Sequence, residues 1–220
     1  MHEKMPGTTE FRRFLEGAGL TVGSFDLASP LAATIADLEH HSRFVPFVAP
    51  ATTQARTFIV HDNFVELDSG LVALTSIAVD GVAYTDAAKL LRPQNATNRR
   101  LPFTYLELPD YDAFYSGCEL TVTGRWGFCD KVPADVFEGV LNGAAARVAP
   151  ALIATKVATE VAAAGSLKAR QTGPVREEYA TSEGRTENSR PFSNMLIKQW
   201  QSQWEKLLRD SRYRRRTFVK

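Results

Sequence analysis

The sequence predicts an α+β protein: helices with an antiparallel β-region inserted between them at about residues 55–124, and an extended C-terminal arm, residues 181–220, ending in a helix. Three observations carry that reading. The apolar period is helix-like up to Arg43, changes to two between Ala55 and Thr123, and becomes helix-like again after Pro133. Strands grouped in one block between helices give α+β rather than a wound parallel sheet. The stretch Thr181–Pro191 (TSEGRTENSRP) is polar and carries Gly and Pro, the composition of a tether.

Residues 1–9 carry no periodicity and are expected to fray. In Glu10–Glu16 (EFRRFLE), Phe11, Phe14 and Leu15 fall on one side of a short helix that stops at Gly17 or Gly19. A second helix is expected from about Asp26 to Arg43. Its Leu27, Leu31, Ile35 and Leu38 follow the spacing of one helical face. Pro30 falls in its first turn, where proline is tolerated, and Pro46 and Pro50 close the helical region.

The β-block begins with Thr57–Val60, Phe64–Leu67 and Val72–Val79, short runs rich in β-branched residues and separated by turn formers. Asp80-Gly81 between Val79 and Val82 is a two-residue hairpin signal. Leu90-Leu91, Phe103–Leu108 and Glu119–Thr123 complete an antiparallel set, with Asn95–Arg100 and Pro109–Gly117 as exposed loops. Gly124 and Gly127 then bracket Arg125 and Trp126, which reads as a tight structural turn. Trp126 is expected to cover the end of the sheet with Arg125 beside it; the competing reading is a partner-binding knuckle.

Pro133 suits a first helical position, and Asp135 and Glu138 suit the positive end of a helix dipole. The long helix should run over 133–164 and stop at Gly165. Its eleven alanines between Ala134 and Ala164 let helix axes approach closely, so it should pack against at least two neighbours. Pro150 should kink or split it. Gly173-Pro174 breaks any continuation, and Ser193 can cap a final helix from about Asn194 to Tyr213.

At 220 residues the chain suits one domain with an appendage and can bury a sizeable core. It has no uninterrupted apolar run of membrane length, and MHEKMPGTTEF lacks an apolar signal core, so neither a membrane span nor secretion is expected. Cys118 and Cys129 make no disulfide framework and read as reduced packing residues of a cytosolic product. Net charge is +1, but eight Lys or Arg against Glu205 and Asp210 leave +6 in the last 25 residues and −5 before them. Such a split marks a tail with its own partner.

Signals for chemistry are weak. The adjacent His40 and His41 point about 100° apart on a helix and cannot share a metal as an i, i+4 pair could; His2 and His61 stand apart from them. Gly124 and Gly127 lack the Gly-Lys-Ser/Thr of a phosphate loop, and no Gly-x-Ser-x-Gly elbow occurs. Asp110, Asp112 and Glu119 form no recognisable catalytic pair.

The wording TVTGRWGF, a short spacer, VPADV and an Ala-rich helix resembles the head–tail connector (adaptor, or head-completion) proteins of tailed bacteriophages. The resemblance covers roughly residues 26 to 180. It takes in an acidic N-terminal helix ending near Phe44, Arg56-Thr57-Phe58, the hairpin SIAVDGVAYT, and LLRPQN with LPFTYLEL. Downstream, LKARQTGPVREEY is similar to the strand-like segment after the family's long helix, and residues 185–220 extend beyond the pattern.

The resemblance implies a helical bundle with an inserted β-region, forming a connector core over residues 1–180. It further implies a ring of identical subunits, usually a dodecamer, in the neck of the virion. That ring would dock on the portal protein, meet a tail or tail-completion protein, and pass DNA through its lumen without sequence-specific binding. Such a protein is made in the host bacterial cytoplasm and is no enzyme; neither cofactor, metal nor membrane is expected.

The C-terminal helix presents Leu196, Ile197, Trp200, Trp204, Leu207 and Leu208 on one face and ends in Arg209, Arg212, Arg214, Arg215 and Arg216. Trp and Arg are enriched at binding hot spots, so these residues are predicted to bind the portal as a helix laid in a groove. The competing reading folds the helix back on its own domain. A DNA-binding or packaging accessory protein using the basic tail is the alternative function, and an enzyme with an unrecognised site is a third.

Overall fold

The computed structural model describes residues 1–94, 96, 101–109, 114–165 and 182–213, with 157–165 and 182–193 described as backbone alone. The chain divides into two compact units. Met1–Met5, Ala36–Ala134 and Asp210–Lys220 form a sheet unit; Pro6–Ile35 and Asp135–Arg209 form a helical unit.

The sheet unit is built on six strands: β1 Gln54–Ile59, β2 Phe64–Val79, β3 Val82–Tyr84, β4 Leu91–Arg92, β5 Phe103–Glu107 and β6 Glu119–Trp126. Their order is β1-β6-β2-β5-β4, all pairs are antiparallel, and β3 pairs with the far end of β2. Val65, Leu67, Leu71, Ile77, Leu106, Leu120, Val122 and Trp126 meet in one buried cluster. The strands thus close a core of their own. The α+β class stands, but the expected helical bundle with an inserted β-region is wrong, because the sheet is a large central body rather than an insertion.

The sequence splits β2 at Asp68-Ser69-Gly70, yet the strand is continuous over 16 residues. Gly70, at φ +73°, bends it without ending it, and the register against β5 shifts between Glu66 and Leu71. The first half pairs with β5, the second with β6 and β3. A β-carbon at Gly70 would lie 2.8 Å from the Phe44 ring and 2.9 Å from Pro102.

The turn expected over Gly124–Gly127 is also corrected, because Gly124 and Trp126 belong to β6 and the chain leaves the strand only after Trp126. Close approach explains the glycines instead. A β-carbon at Gly124 would overlap the Ala73 carbonyl oxygen and lie 2.6 Å from Leu71 Cδ1. One at Gly127 would lie 2.7 Å from the Ala49 nitrogen. Trp126 is 1% exposed, donates from Nε1 to the Gln54 carbonyl at 2.8 Å, and lies 6.0 Å from the Phe58 ring, so it is a core residue of β6. Arg125 donates to the carbonyls of Pro50 and Ala49 and pairs with Asp130 at 2.5 Å.

Two chain ends join this unit. His2 exchanges two backbone hydrogen bonds with Val132, so the expected fraying does not extend to it. Tyr213 packs its ring against Phe47 and Phe128, which themselves stack with centroids 4.8 Å apart.

The helical unit comprises α1 Thr8–Gly17, the first part of α2 Ala28–Ser42, α4 Ala134–Gly165 and α5 Ser182–Arg209; the short α3, Ala87–Leu90, belongs to the sheet unit. Asp26 Oδ1 accepts the Ala28 N–H at 2.9 Å and so satisfies the first backbone donor of α2. α4 continues through Pro150 as one helix and is not split. Its stretch Ala134–Lys156 is apolar and long enough to cross a bilayer, although no uninterrupted apolar run flags it, and its middle part is mostly buried within the protein. α5 begins at Ser182, so helix replaces the tether and the later start expected for the arm. Asn95, residues 97–100, 110–113 and 167–179, Thr181 and Arg214–Arg216, all named in the sequence reading, lie outside the described residues.

Gly124→Ala should lower the stability of the sheet unit by about 1–3 kcal/mol, the usual range for overpacking. Gly17→Ala, where no atom lies within 4 Å of the added carbon, should leave urea unfolding unchanged or slightly delayed. Equal effects at the two positions would contradict the close-approach account.

Candidate functional site

The predicted portal-binding face is largely occupied by the helical unit itself. Trp200, Trp204 and Leu207 are 4%, 9% and 8% exposed. The Trp200 ring lies 5.7 Å from that of Phe14 on α1. Gly139 and Gly143, one turn apart on α4, form the floor of a groove. A β-carbon at Gly143 would lie 2.7 Å from the Trp204 ring and 2.8 Å from Thr34 Cγ2, and one at Gly139 would overlap a Leu207 methyl. Leu196, Ile197 and Leu208 are half-buried. The expectation of an apolar face that a monomer leaves wet is therefore corrected. Amphipathic spacing shows that a face needs cover, whereas glycines supplying the cover leave no mark in the apolar pattern.

The basic end of α5 stays at the surface. Arg209 pairs with Glu205 at 3.0 Å, an exposed contact worth about 0–1 kcal/mol. Arg212 pairs with Asp210 at 2.6 Å and lies 5.2 Å over the Tyr213 ring. Arg214, Arg215 and Arg216 lie outside the described residues.

Two polar arrangements in the sheet unit were not visible in the sequence. The Arg56 guanidinium lies 4.5 Å over the Trp126 ring and donates to Ser69 Oγ at 2.6 Å. The only signal was the run Arg56-Thr57-Phe58, which shows no partner. At the β2–β3 hairpin, Asp80 adopts φ +48° and its carboxylate accepts the Tyr115 hydroxyl at 2.6 Å and the Glu119 N–H at 2.8 Å. The Tyr115 hydrogen bond, then the Glu119 amide, hold the Asp80 carboxyl below its ordinary pKa; the same bond to Asp80 raises that of Tyr115.

Cys118 and Cys129 are free and buried, and burial, aided by nearby Asp130, pushes the Cys129 thiol up to about 12. A thiol so protonated is a poor nucleophile. Among the described residues no three His, Cys, Asp or Glu side chains are grouped to hold a metal. His40 and His41 sit edge to face, with centroids 6.0 Å apart. Glu119 lies at the start of β6, while Asp110 and Asp112 are outside the described residues.

No protein-family model matches the chain, and no curated protein matches it.

Trp204→Ala is expected to cost about 3–5 kcal/mol, the range for truncating a large core aromatic. A thermal melt should show the helical unit destabilised; a folded variant of unchanged stability would return Trp204 to the role of an outward grip.

The Asp80–Tyr115 contact should leave a signature in pH. Asp80 has a folded-state pKa below its unfolded one, so its contribution is present above the ordinary carboxylate range and is lost as pH falls through the depressed value. Tyr115, raised, contributes below about pH 10 and loses that contribution as pH rises through its folded value. In Asp80→Asn the Tyr115 titration, followed by NMR, should move back toward lower pH. An unmoved titration would mean that the hydrogen bond does not form in solution.

Proposed function

We propose that this chain is a structural adaptor of a tailed-phage particle. Copies of it close into a ring, a dodecamer by analogy with the family it resembles, that docks on the portal and joins capsid to tail while DNA passes through. The observation that carries this reading is the ordered run TVTGRWGF, VPADV and Ala-rich helix, with matching pieces on either side of it. The run coincides with the glycine crossing of β6 and with the Gly139–Gly143 groove of α4. The helical-bundle architecture is no part of the proposal.

With Trp200, Trp204 and Leu207 committed to the helical unit, portal contact falls to the rest of the predicted set. Leu196, Ile197 and Leu208 offer half-buried apolar edges, and Arg209, Arg212, Arg214, Arg215 and Arg216 offer charge. Such rim cations orient docking on acidic portal residues more than they deepen affinity. The −5 balance of residues 1–195 suits a channel wall that lets DNA slide. On this reading the protein performs no catalysis, takes no cofactor, and resides in the neck of the virion after synthesis in the host cytoplasm.

One observation favours a second reading. The +6 carried by the last 25 residues could neutralise phosphates, as a DNA-binding or packaging accessory protein would.

Electron microscopy of the full chain mixed with its candidate portal should show added ring density on the portal. Protein that remains off the portal, yet binds duplex DNA tightly at physiological salt, would establish the accessory reading instead. In that case Arg214→Gln, Arg215→Gln and Arg216→Gln should each flatten the salt dependence by about one counterion.

A further inference from the structure

We infer that neighbouring copies join through their sheets, the open edge of β1 in one copy pairing antiparallel with the open edge of β3 in the next. The inference rests on the ring reading and names the contact that closes it.

Backbone direction comes first. Val60 donates its N–H to the Cys118 carbonyl, and its own carbonyl accepts the Gly117 N–H. With the strand period of two, positions 54, 56 and 58 of β1 therefore turn toward β6. Ala55, Thr57 and Ile59 turn their amides and carbonyls away. In β3 the two-residue turn Asp80-Gly81 makes Val79 and Val82 a hydrogen-bonded pair, and Ile77 and Tyr84 the next. Ala83 therefore turns outward. Ala55, Thr57, Ile59 and Ala83 are all exposed, and among the described residues no backbone hydrogen bond outside the sheet reaches them.

The two edges suit each other. β1 and β2 are both antiparallel to β6, and β3 is antiparallel to β2, so β1 and β3 run in opposite senses at the two margins of β1-β6-β2-β3. Unlike edges of opposite sense let rotated copies extend one antiparallel sheet, a heterologous contact of the kind that closes into a ring. Edge strands are ordinarily blunted by lysine, proline or a bulge. Neither QARTFI nor VAY contains Lys or Pro, and their one charge, Arg56, lies over Trp126.

Side chains fix the register. With Thr57 opposite Ala83 of the next copy, Val82 falls opposite Phe58, and Tyr84 opposite Arg56. Val82 is 72% exposed and gains the half-buried Phe58 as cover. Arg56 has no carboxylate partner among the described residues; here it gains the Tyr84 ring and, diagonally, Asp86, whose present partner Lys89 is itself well exposed. A three-residue strand buries less than the roughly 1,000 Å² of a stable interface. The contact is thus weak between free chains and depends on the portal to hold copies side by side.

Thr57→Cys and Ala83→Cys, introduced together into the full chain, test this on the portal-bound complex with a short bismaleimide. The native thiols are buried and make a low background. The expected result is a ladder of multimers on a denaturing gel, absent from either single variant. Dimers from Thr57→Cys alone would overturn the inference in favour of two-fold pairing of β1 with itself. Rings visible by microscopy without a ladder would overturn it and leave the ring reading standing; absence of rings would overturn both.

Discussion

At Gly124 the backbone of β6 passes so close to β2 that a β-carbon would overlap the Ala73 carbonyl oxygen. The same crossing uses Gly70, pressed between Phe44 and Pro102, and Gly127, pressed on Ala49; the Gly127 N–H donates to the Gly70 carbonyl at 3.1 Å. Interiors are packed to crystal-like density, so such positions tolerate no added carbon without a shift of backbone. Much of the sheet unit follows from this contact. Gly70 lets β2 bend and serve β5 with one half and β6 and β3 with the other. Trp126 is then buried beneath β1, and Arg56 has a ring to lie on. The two margins that no described residue pairs with are those through which copies are proposed to join.

The helical unit repeats the device. Gly139 and Gly143 admit Leu207 and Trp204 where any side chain would exclude them. Burying side chains of this size stabilises by roughly 1.5–3 kcal/mol each, which explains why α5 belongs to the folded unit rather than to a free arm. This reassigns the chemistry of its outer surface. What α5 can offer a partner is mainly charge, and charge governs orientation and encounter more than residence.

Local signals in the sequence were sound where one residue type has one use. Asp80-Gly81 makes the hairpin it predicts, and the Phe11, Leu15, Leu31 and Leu38 spacings mark buried helical faces. Errors arose where a residue has two uses. Glycine reads as a turn, but Gly70 and Gly124 serve close approach within strands, so the sequence marks two strands where β2 is one and an early end to β6. The polar run after Thr181 reads as a tether because no apolar period marks its helix. Tryptophan spacing revealed the apolar face of α5 but could not reveal the glycine groove that receives it. The frame is not legible in the sequence because strand lengths alone do not show that six strands close their own core.

The central claim is that this molecule works by joining copies of itself on a portal. Residue-resolved hydrogen exchange tests it most directly, in the free chain and in the portal-bound complex. The account predicts fast exchange at Ala55, Thr57, Ile59 and Ala83 in the free chain, and strong protection of those four amides on the portal. Amides of β6, already paired on both sides, should change little. Unprotected edge amides in a complex that demonstrably carries many copies would contradict it.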